Sequence, residues 1–197
     1  MQEFILFFQN HWVSIVGTIM GLLYLFLEYK ANIWMWAASM AMAAFYIYIF
    51  YSTQLYASMG IYSYFFIASL YGWVMWLKGG KKDNGGYTIL RMGKKYIPHL
   101  SIAIIVVFAI IISILYHYTD NPLYIKVGDA LTTTLNIVAL AMISYRWAEQ
   151  WLLLIPANAI SAFLLFAQND TISGCLFIIF CIVSVFGYRK WVKMAAT

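Results

Sequence analysis

One stretch of the chain carries four polar residues that share a helical face: Asp129, Thr132, Thr133 and Asn136. Their spacings from Asp129 are 3, 4 and 7 residues, so on a helix they lie above one another. The surrounding residues are apolar, and polar groups at membrane depth usually face a cavity. We therefore predict Thr133 and Asn136 as substrate-binding residues and Asp129 as a gate. The alternative for Asp129 is an ion pair with Lys126.

A second stripe combines an indole with an amide. Trp151, Leu154 and Asn158 are spaced i, i+3 and i+7, and we predict all of them to bind substrate. For Trp151 a place in an interfacial aromatic belt is the alternative. An amide at mid-helix needs a hydrogen-bond partner, which either a ligand in a pocket or a neighbouring helix supplies. Pro156 lies inside this stretch and is expected to bend or break the helix, which would free carbonyl groups for a substrate.

Two earlier stretches add aromatic rings and hydroxyls. Tyr62 and Ser69, and Trp34 and Trp36 from the stretch before them, are predicted substrate-binding residues. A serine at such a position also suits close packing of helices, and this alternative stays open for Ser69. Glu28 ends the first apolar stretch and is either an inner gate or a solvated helix end.

Most tryptophans lie near the ends of apolar stretches, where interfacial aromatic belts are common. A belt is the simpler interpretation for one set, and it competes there with the binding roles of Trp34 and Trp36. The set is Trp34, Trp36, Trp73, Trp76, Trp147 and Trp191.

Known catalytic and cofactor motifs are absent from the sequence. The glycines form no phosphate-binding loop, and there is no Gly-x-Ser-x-Gly or His-Glu-x-x-His pattern. Cys175 and Cys181 lie in one apolar stretch and fit neither a disulfide framework nor a metal site. We expect no enzyme activity, no cofactor and no metal. Without a nucleotide-binding loop or a chain of acidic residues at membrane depth, ATP-driven and proton-coupled transport lose support, and passive, substrate-selected transport is the simplest mechanism left.

The amino-acid composition indicates that these polar stripes belong to a membrane protein. Of the 197 residues, 64% are hydrophobic and 10% are charged, with a mean hydropathy of +0.81. A soluble domain has roughly 25% charged residues, so this chain belongs in a lipid bilayer. The sequence predicts an all-α membrane protein whose single domain, residues 1–197, has seven transmembrane helices. They cover about residues 12–27, 33–51, 59–77, 97–116, 127–145, 151–167 and 173–188.

Basic residues predict the orientation. Of the 12 lysines and arginines, 11 fall on alternate connections, most densely after the third helix, and Lys126 lies opposite. Positive charge is retained on the cytoplasmic side, which places the N-terminus outside and the C-terminus inside. The net charge of +5 is thus a topology signal, and no nucleic-acid partner is expected.

Matches at a constant offset of 115 residues indicate an internal repeat. Two units with three helices each keep one orientation only if an extra helix joins them, so helix 4 is the predicted linker. Such parallel repeats, with a site near the midplane, occur in transporters. The predicted 3+1+3 arrangement has repeat one at about 11–78, the linker at about 97–116 and repeat two at about 126–193. The matched pairs include Trp36 with Trp151, Ser69 with Ser184, Gly72 with Gly187, and Trp76 with Trp191.

Residues 151–158 resemble the PnuC family of bacterial vitamin transporters, which is marked by Trp-x-x-Trp-x-x-x-Asn in this helix. Residues 16–23, 55–58, 67–73 and 146–151 are also similar to the family. The resemblance implies a multi-pass protein of the bacterial cytoplasmic membrane that carries a small cationic aromatic vitamin by facilitated diffusion. It also implies trapping of the vitamin by a cytoplasmic kinase. The oligomeric state stays open, with a homo-oligomer as one option.

Within the family, the chain departs from the branch that carries nicotinamide riboside. Trp151 and Asn158 match the motif, but Leu154 replaces its second tryptophan. The riboside transporters tend to have Gln and Asn where this chain has Tyr62 and Ser69. These departures reduce the number of groups that could bind a ribose and keep the aromatic faces.

Two segments, residues 28–36 and 186–191, look like the thiamine branch, PnuT. The resemblance therefore implies thiamine as the substrate and nicotinamide riboside as the alternative. Both are flat cations that suit Trp and Tyr faces. A sugar carrier and a non-transporting membrane scaffold are the more distant alternatives.

Overall fold

The computed structural model describes residues 2–54, 56–79 and 87–196, without the side chains of residues 2–11, 14, 57 and 58. In these ranges the chain forms seven α-helices and one 3-10 turn, Lys94–Tyr96, and no β-strand. The predicted all-α fold is confirmed. The helices are α1 Gln2–Tyr29, α2 Trp34–Ser52, α3 Tyr56–Lys78, α4 Ile97–Tyr118, α5 Leu123–Ser144, α6 Gln150–Ala167 and α7 Thr171–Ala195.

Six helices, α2 to α7, are long and apolar enough to cross a membrane. The most apolar is α4, with a mean hydropathy of 2.7 and no buried residue among those described. Among the α1 residues whose side chains are described, the apolar part is Ile15–Tyr29, so α1 as the seventh span stays a prediction. The predicted orientation, with the N-terminus outside, also stays a prediction; Lys81 and Lys82 of the basic loop lie outside the described residues.

The chain divides into two compact units, Met1–Tyr87 and Thr88–Thr197. In the first unit, α2 packs against both α1 and α3. In the second unit, α5 packs against α4 and α6, and α6 packs against α7. The predicted linker helix, α4, therefore packs with the second unit.

Two helices extend beyond their predicted ends. The apolar stretch predicted helix 7 to end near Tyr188, but α7 continues to Ala195 and carries Arg189, Lys190 and Lys193. Basic residues in the last turns interact favourably with the carbonyl end of a helix, so the helix continues past its apolar part. At the other end of the chain, α1 begins at Gln2 instead of near Trp12.

Pro156 does not break its helix, so the predicted break is wrong, whereas the predicted bend stays a prediction. The helix α6 runs without interruption from Gln150 to Ala167 around it. Proline removes one backbone hydrogen bond, whereas a break would leave several backbone groups unpaired in lipid. The helical bonds on either side of Pro156 therefore keep α6 continuous.

The turns before and after α2 and α6 share an unusual backbone conformation. Non-glycine residues with positive φ in the described chain are Ala31 (51°), Gln54 (60°), Arg146 (62°) and Asn169 (62°). They form two pairs, Ala31 with Arg146 and Gln54 with Asn169, each separated by 115 residues. The spacing equals that of the sequence matches. The paired turns show that the backbone around α2 resembles the backbone around α6. The 3+1+3 arrangement of the helices stays a prediction.

Candidate substrate site

Trp151, in the first turn of α6, is fully buried against α7. A Cβ atom at Gly187 would lie 2.7 Å from Cε2 of the indole, so only glycine permits this contact. Trp191 meets the same indole edge to face, with ring centroids 5.8 Å apart. Trp151 therefore holds α6 against α7, and its Nε1 has no hydrogen-bond partner among the described residues.

Asn158 lies two helical turns further along the same interface and is 8% exposed. Its Nδ2 donates to Oγ of Ser184 over 3.1 Å, and that hydroxyl donates to the carbonyl of Phe180 over 2.7 Å. The amide thus bonds to a neighbouring helix, and Oδ1 has no hydrogen bond with the described residues. Oδ1 can accept a hydrogen bond from a ligand. Ser184 was not predicted as a site residue, although its match to Ser69 was the available signal.

The α2–α3 interface has a similar construction. Trp36 is fully buried and packs on Gly72, where any Cβ atom would overlap the indole. Trp76 meets Trp36 edge to face, with ring centroids 6.2 Å apart. Ser69 is buried, lies 2.7 Å from the hydroxyl of Ser39, and donates to a carbonyl of its own helix. Trp36 and Ser69 therefore pack between helices in this structure.

The belt interpretation is wrong for three of the tryptophans. Trp36, Trp76 and Trp191 are 0% exposed, whereas belt residues face the lipid headgroups. Trp34 is 60% exposed and meets Trp73 edge to face with centroids 6.0 Å apart, which suits a surface position.

Tyr62 belongs to an aromatic cluster formed by Tyr46, Phe50, Tyr62 and Phe65. The centroids of the Tyr46 and Tyr62 rings are 4.7 Å apart, and those of Phe50 and Tyr62 are 5.4 Å apart. The Tyr46 hydroxyl lies against Gly17 of α1, where a side chain would overlap it. The predicted site residue Tyr62 is thus one ring of a group that spans the first unit's helices.

The polar stripe of α5 is only partly packed. Thr132 is buried and donates to the carbonyl of Asp129 over 3.0 Å. Asp129 is exposed, Thr133 and Asn136 are partly exposed, and the hydroxyl of Thr133 donates to Oδ1 of Asp129 over 3.4 Å. Lys126 places its Nζ 5.3 Å from the ring centre of Tyr116 on α4, and no ion pair with Asp129 is found among the described residues.

Glu28 and Leu154 are the remaining predicted residues. Glu28 is 2% exposed, so the interpretation as a solvated helix end is wrong. It is a buried carboxylate in the last turn of α1. Leu154 is partly exposed on α6, between Trp151 and Asn158.

The turn between α5 and α6 is held by a segment far away in the sequence, Leu90–Met92, which we name the strap. The backbone of Leu90 bonds to Arg146 and Ala148 over 2.9 and 3.0 Å. Arg91 forms an ion pair with Glu149, whose second carboxylate oxygen accepts from the backbone of Met92 over 2.7 Å. The hydrogen bond with Glu149 raises the pKa of Arg91. No sequence motif predicted this contact.

A groove of about 500 Å³ opens on the surface of α2 and α3. Its walls are apolar, and none of the predicted site residues lines it, so it offers little to a hydroxylated cation. The lining residues are Ala44, Ile47, Tyr48, Tyr51, Met59 and Phe66.

Residues 11–193 match the sequence profile of the nicotinamide mononucleotide transporter family, to which PnuC belongs. The chain belongs to this family. It is 23% identical over 206 residues to the nicotinamide riboside transporter PnuC of Escherichia coli, covering 93% of this chain and 86% of the relative. The riboflavin/roseoflavin transporter RibM of Streptomyces davaonensis is 25% identical over 191 residues, covering 96% and 89%.

The crystal structure of the vitamin B3 transporter PnuC has the same fold, with a TM-score of 0.74 at 20% identity. The likeness covers 97% of this chain and 85% of that structure. The predicted membership of the PnuC family is confirmed. The chain is a multi-pass membrane protein and a vitamin transporter of this family.

Proposed function

We propose that this PnuC-family transporter carries thiamine across the bacterial cytoplasmic membrane by facilitated diffusion. The observation that carries the proposal is the aromatic cluster around Tyr62. The riboside branch tends to have an amide at this position, which suits a ribose, whereas a tyrosine among three other rings suits a flat aromatic cation. Resemblance of residues 28–36 and 186–191 to the thiamine branch supports the same choice.

The hydrogen-bonding groups support a small polar ligand in the second unit. Oδ1 of Asn158 can accept from an amino group, and Thr133 and Asn136 add a hydroxyl and an amide on the partly open face of α5. Leu154 lies between Trp151 and Asn158 and offers an apolar surface where the family motif has an indole. We propose these residues as direct contacts of the vitamin.

The buried residues have a supporting role in this proposal. Trp151 holds the start of α6 on Gly187 and thereby positions Asn158. Trp36 and Ser69 hold α2 against α3 in the same manner. Trp34 is exposed and is proposed as a surface contact for the incoming ring, and Glu28 is proposed as an inner gate.

The lack of a nucleotide-binding motif in the sequence and the trapping that the family resemblance implies both support facilitated diffusion. A cytoplasmic kinase that phosphorylates the vitamin would prevent its return. In proteoliposomes we expect the vitamin to equilibrate without an ion gradient or ATP. Accumulation of unmodified vitamin above the outside concentration under a proton or sodium gradient would contradict this mechanism.

Nicotinamide riboside is the second candidate. Trp151 and Asn158 match the family motif, and the E. coli relative carries the name of a nicotinamide riboside transporter. The Streptomyces relative is named for riboflavin and roseoflavin. These relatives differ in the vitamin they are named for, so the substrate has to be determined for this chain directly.

A binding titration of the purified full chain separates the candidates. We expect saturable binding of thiamine, with weaker binding of nicotinamide riboside and none of a neutral sugar. Riboflavin serves as the third vitamin in the panel. Tighter binding of nicotinamide riboside or riboflavin would replace the proposed substrate, and binding of none of them would remove the transport proposal.

A further inference from the structure

The carboxylates of the described chain differ in their surroundings. Glu149 pairs with Arg91, and Asp170 accepts from the backbone of Ser173 at the start of α7. Glu28 is buried in α1, and Asp120 lies in the connection between α4 and α5. Asp129 differs because it stands on a membrane-spanning helix and is exposed.

The position of Asp129 implies that it faces water. It lies six residues after the start of α5 at Leu123, which corresponds to about 9 Å along the helix. A charged side chain that faces hydrocarbon at this depth is expensive, and such residues usually face a water-filled path. Asn136 continues the same face to about 20 Å, past the middle of a hydrocarbon core of about 30 Å.

The charge of Asp129 is not neutralised by its neighbours. Lys126, one turn earlier, turns its ammonium group to the ring of Tyr116, and no ion pair of Asp129 is found among the described residues. The hydroxyl of Thr133 donates to one carboxylate oxygen over 3.4 Å, which leaves the negative charge in place. The carboxylate therefore presents a negative charge beside the hydroxyl and amide of the α5 stripe.

We propose that Asp129 is the specificity-determining residue by which the transporter selects cationic vitamins at the outer end of its path. The inference rests on the proposed function, because it requires a cationic substrate. The carboxylate attracts the charged ring, and Thr133 and Asn136 offer hydrogen bonds deeper along the same face. A charge that lines a water-filled path attracts ions of opposite sign over about a Debye length and raises their local concentration at the entrance.

The test measures vitamin affinity in vesicles of zwitterionic lipid at low and high salt. The variants are Asp129→Asn, Asp129→Glu and, as a control one turn away, Lys126→Gln. The ligands form two matched pairs: thiamine with its neutral aminopyrimidine alcohol, and nicotinamide riboside with neutral nicotinamide. Asp129→Ser replaces the asparagine variant if the latter does not fold, and a thermal midpoint is measured for each protein.

We expect Asp129→Asn to weaken binding of the cation about tenfold at low salt and to remove most of its salt dependence, since screening acts on charge attraction. Asp129→Glu should keep both properties, and Lys126→Gln should not weaken binding. The neutral ligands should be unaffected. Equal affinity and equal salt dependence in wild type and Asp129→Asn would overturn the inference, as would equal losses for charged and neutral ligands. Failure of the wild type to bind any cationic vitamin would instead overturn the proposed function.

Discussion

The α2–α3 and α6–α7 interfaces have the same packing framework. In each, an indole lies on a glycine of the next helix, and a second tryptophan meets it edge to face. In each, a buried serine donates to the carbonyl of a phenylalanine four residues earlier over 2.7 Å. The equivalent residues are Trp36 and Trp151, Gly72 and Gly187, Trp76 and Trp191, Ser69 and Ser184, and Phe65 and Phe180.

The two interfaces differ in the group that reaches the buried serine. In the first unit it is the hydroxyl of Ser39, three residues after Trp36. In the second unit it is the amide of Asn158, seven residues after Trp151, which still has an oxygen for another partner. The hydroxyl of Ser39 serves only the contact between the two helices. The amide of Asn158 makes such a contact through Nδ2 and can bind a ligand through Oδ1. The shared framework therefore supports the fold, and the residue that differs is the better candidate for recognition.

The largest expected effect comes from removing the buried indoles. Trp36→Ala and Trp151→Ala should each lower the free energy of unfolding by about 3–5 kcal/mol, the usual cost of deleting a large buried ring. Trp151→Ala should in addition weaken vitamin binding at least tenfold, or by about 1.4 kcal/mol, because Asn158 loses its support. Thermal unfolding in detergent and a binding titration check both values. An equal loss of affinity in Trp36→Ala would show that the interfaces do not differ in function.

Next in size is the effect of adding a methyl group beneath each indole. Gly72→Ala and Gly187→Ala should cost about 1–3 kcal/mol, since the new Cβ atom overlaps a buried ring. Replacing the indole with phenylalanine in the same chain should recover part of that loss, which a double-mutant cycle measures.

Gly60→Ala is the matched control for these variants, because nothing lies within 4 Å of a Cβ atom there. It should leave stability unchanged or raise it slightly through helix propensity. A loss in Gly60→Ala as large as in Gly187→Ala would assign the effect to the backbone instead of the indole.

A smaller effect is expected from the polar groups. Ser39→Ala should cost on the order of 0.6 kcal/mol of stability, the average for a hydrogen bond between membrane helices, and leave binding unchanged. Asn158→Leu should reduce discrimination between vitamin analogues that differ in amino or hydroxyl groups. Competition titrations with such analogues measure this. Unchanged discrimination in Asn158→Leu would leave the amide with a packing role only.

The smallest effect is expected in the turns that precede α2 and α6. Asn32 closes the first turn locally by accepting from the backbone of Trp34 over 2.9 Å, whereas the strap holds the second. Arg91 is 52% exposed, so Arg91→Ala should cost at most about 1 kcal/mol.

Glu149→Gln should cost more than Arg91→Ala, since Glu149 is 12% exposed and also accepts from Met92. Thermal midpoints of both variants check the order, and the reverse order would mean that the ion pair outweighs the backbone contact.

The sequence by itself determined the membrane class, most helix positions and the family. Lipid offers no hydrogen bonds to the backbone, so long apolar stretches have to become helices, and this constraint can be read from composition alone. The polar stripe of α5 was also predictable, because helical spacing places Asp129, Thr133 and Asn136 on one face. The continuity of α6 through Pro156 was not predicted from the sequence. It depends on the cost that a broken helix would have by leaving backbone groups unpaired in lipid.

Only the tertiary structure decided which side of a helix meets a neighbour. Trp34 and Trp36 lie two residues apart in the same stretch, yet one is 60% exposed and the other is fully buried on Gly72. A tryptophan near a helix end can lie at the lipid interface or pack on a glycine of a neighbouring helix. Which of these occurs depends on how the helix is rotated about its axis, and the sequence does not specify this rotation. The strap depends on a contact between residues 58 positions apart, Arg91 and Glu149, which local spacing does not specify.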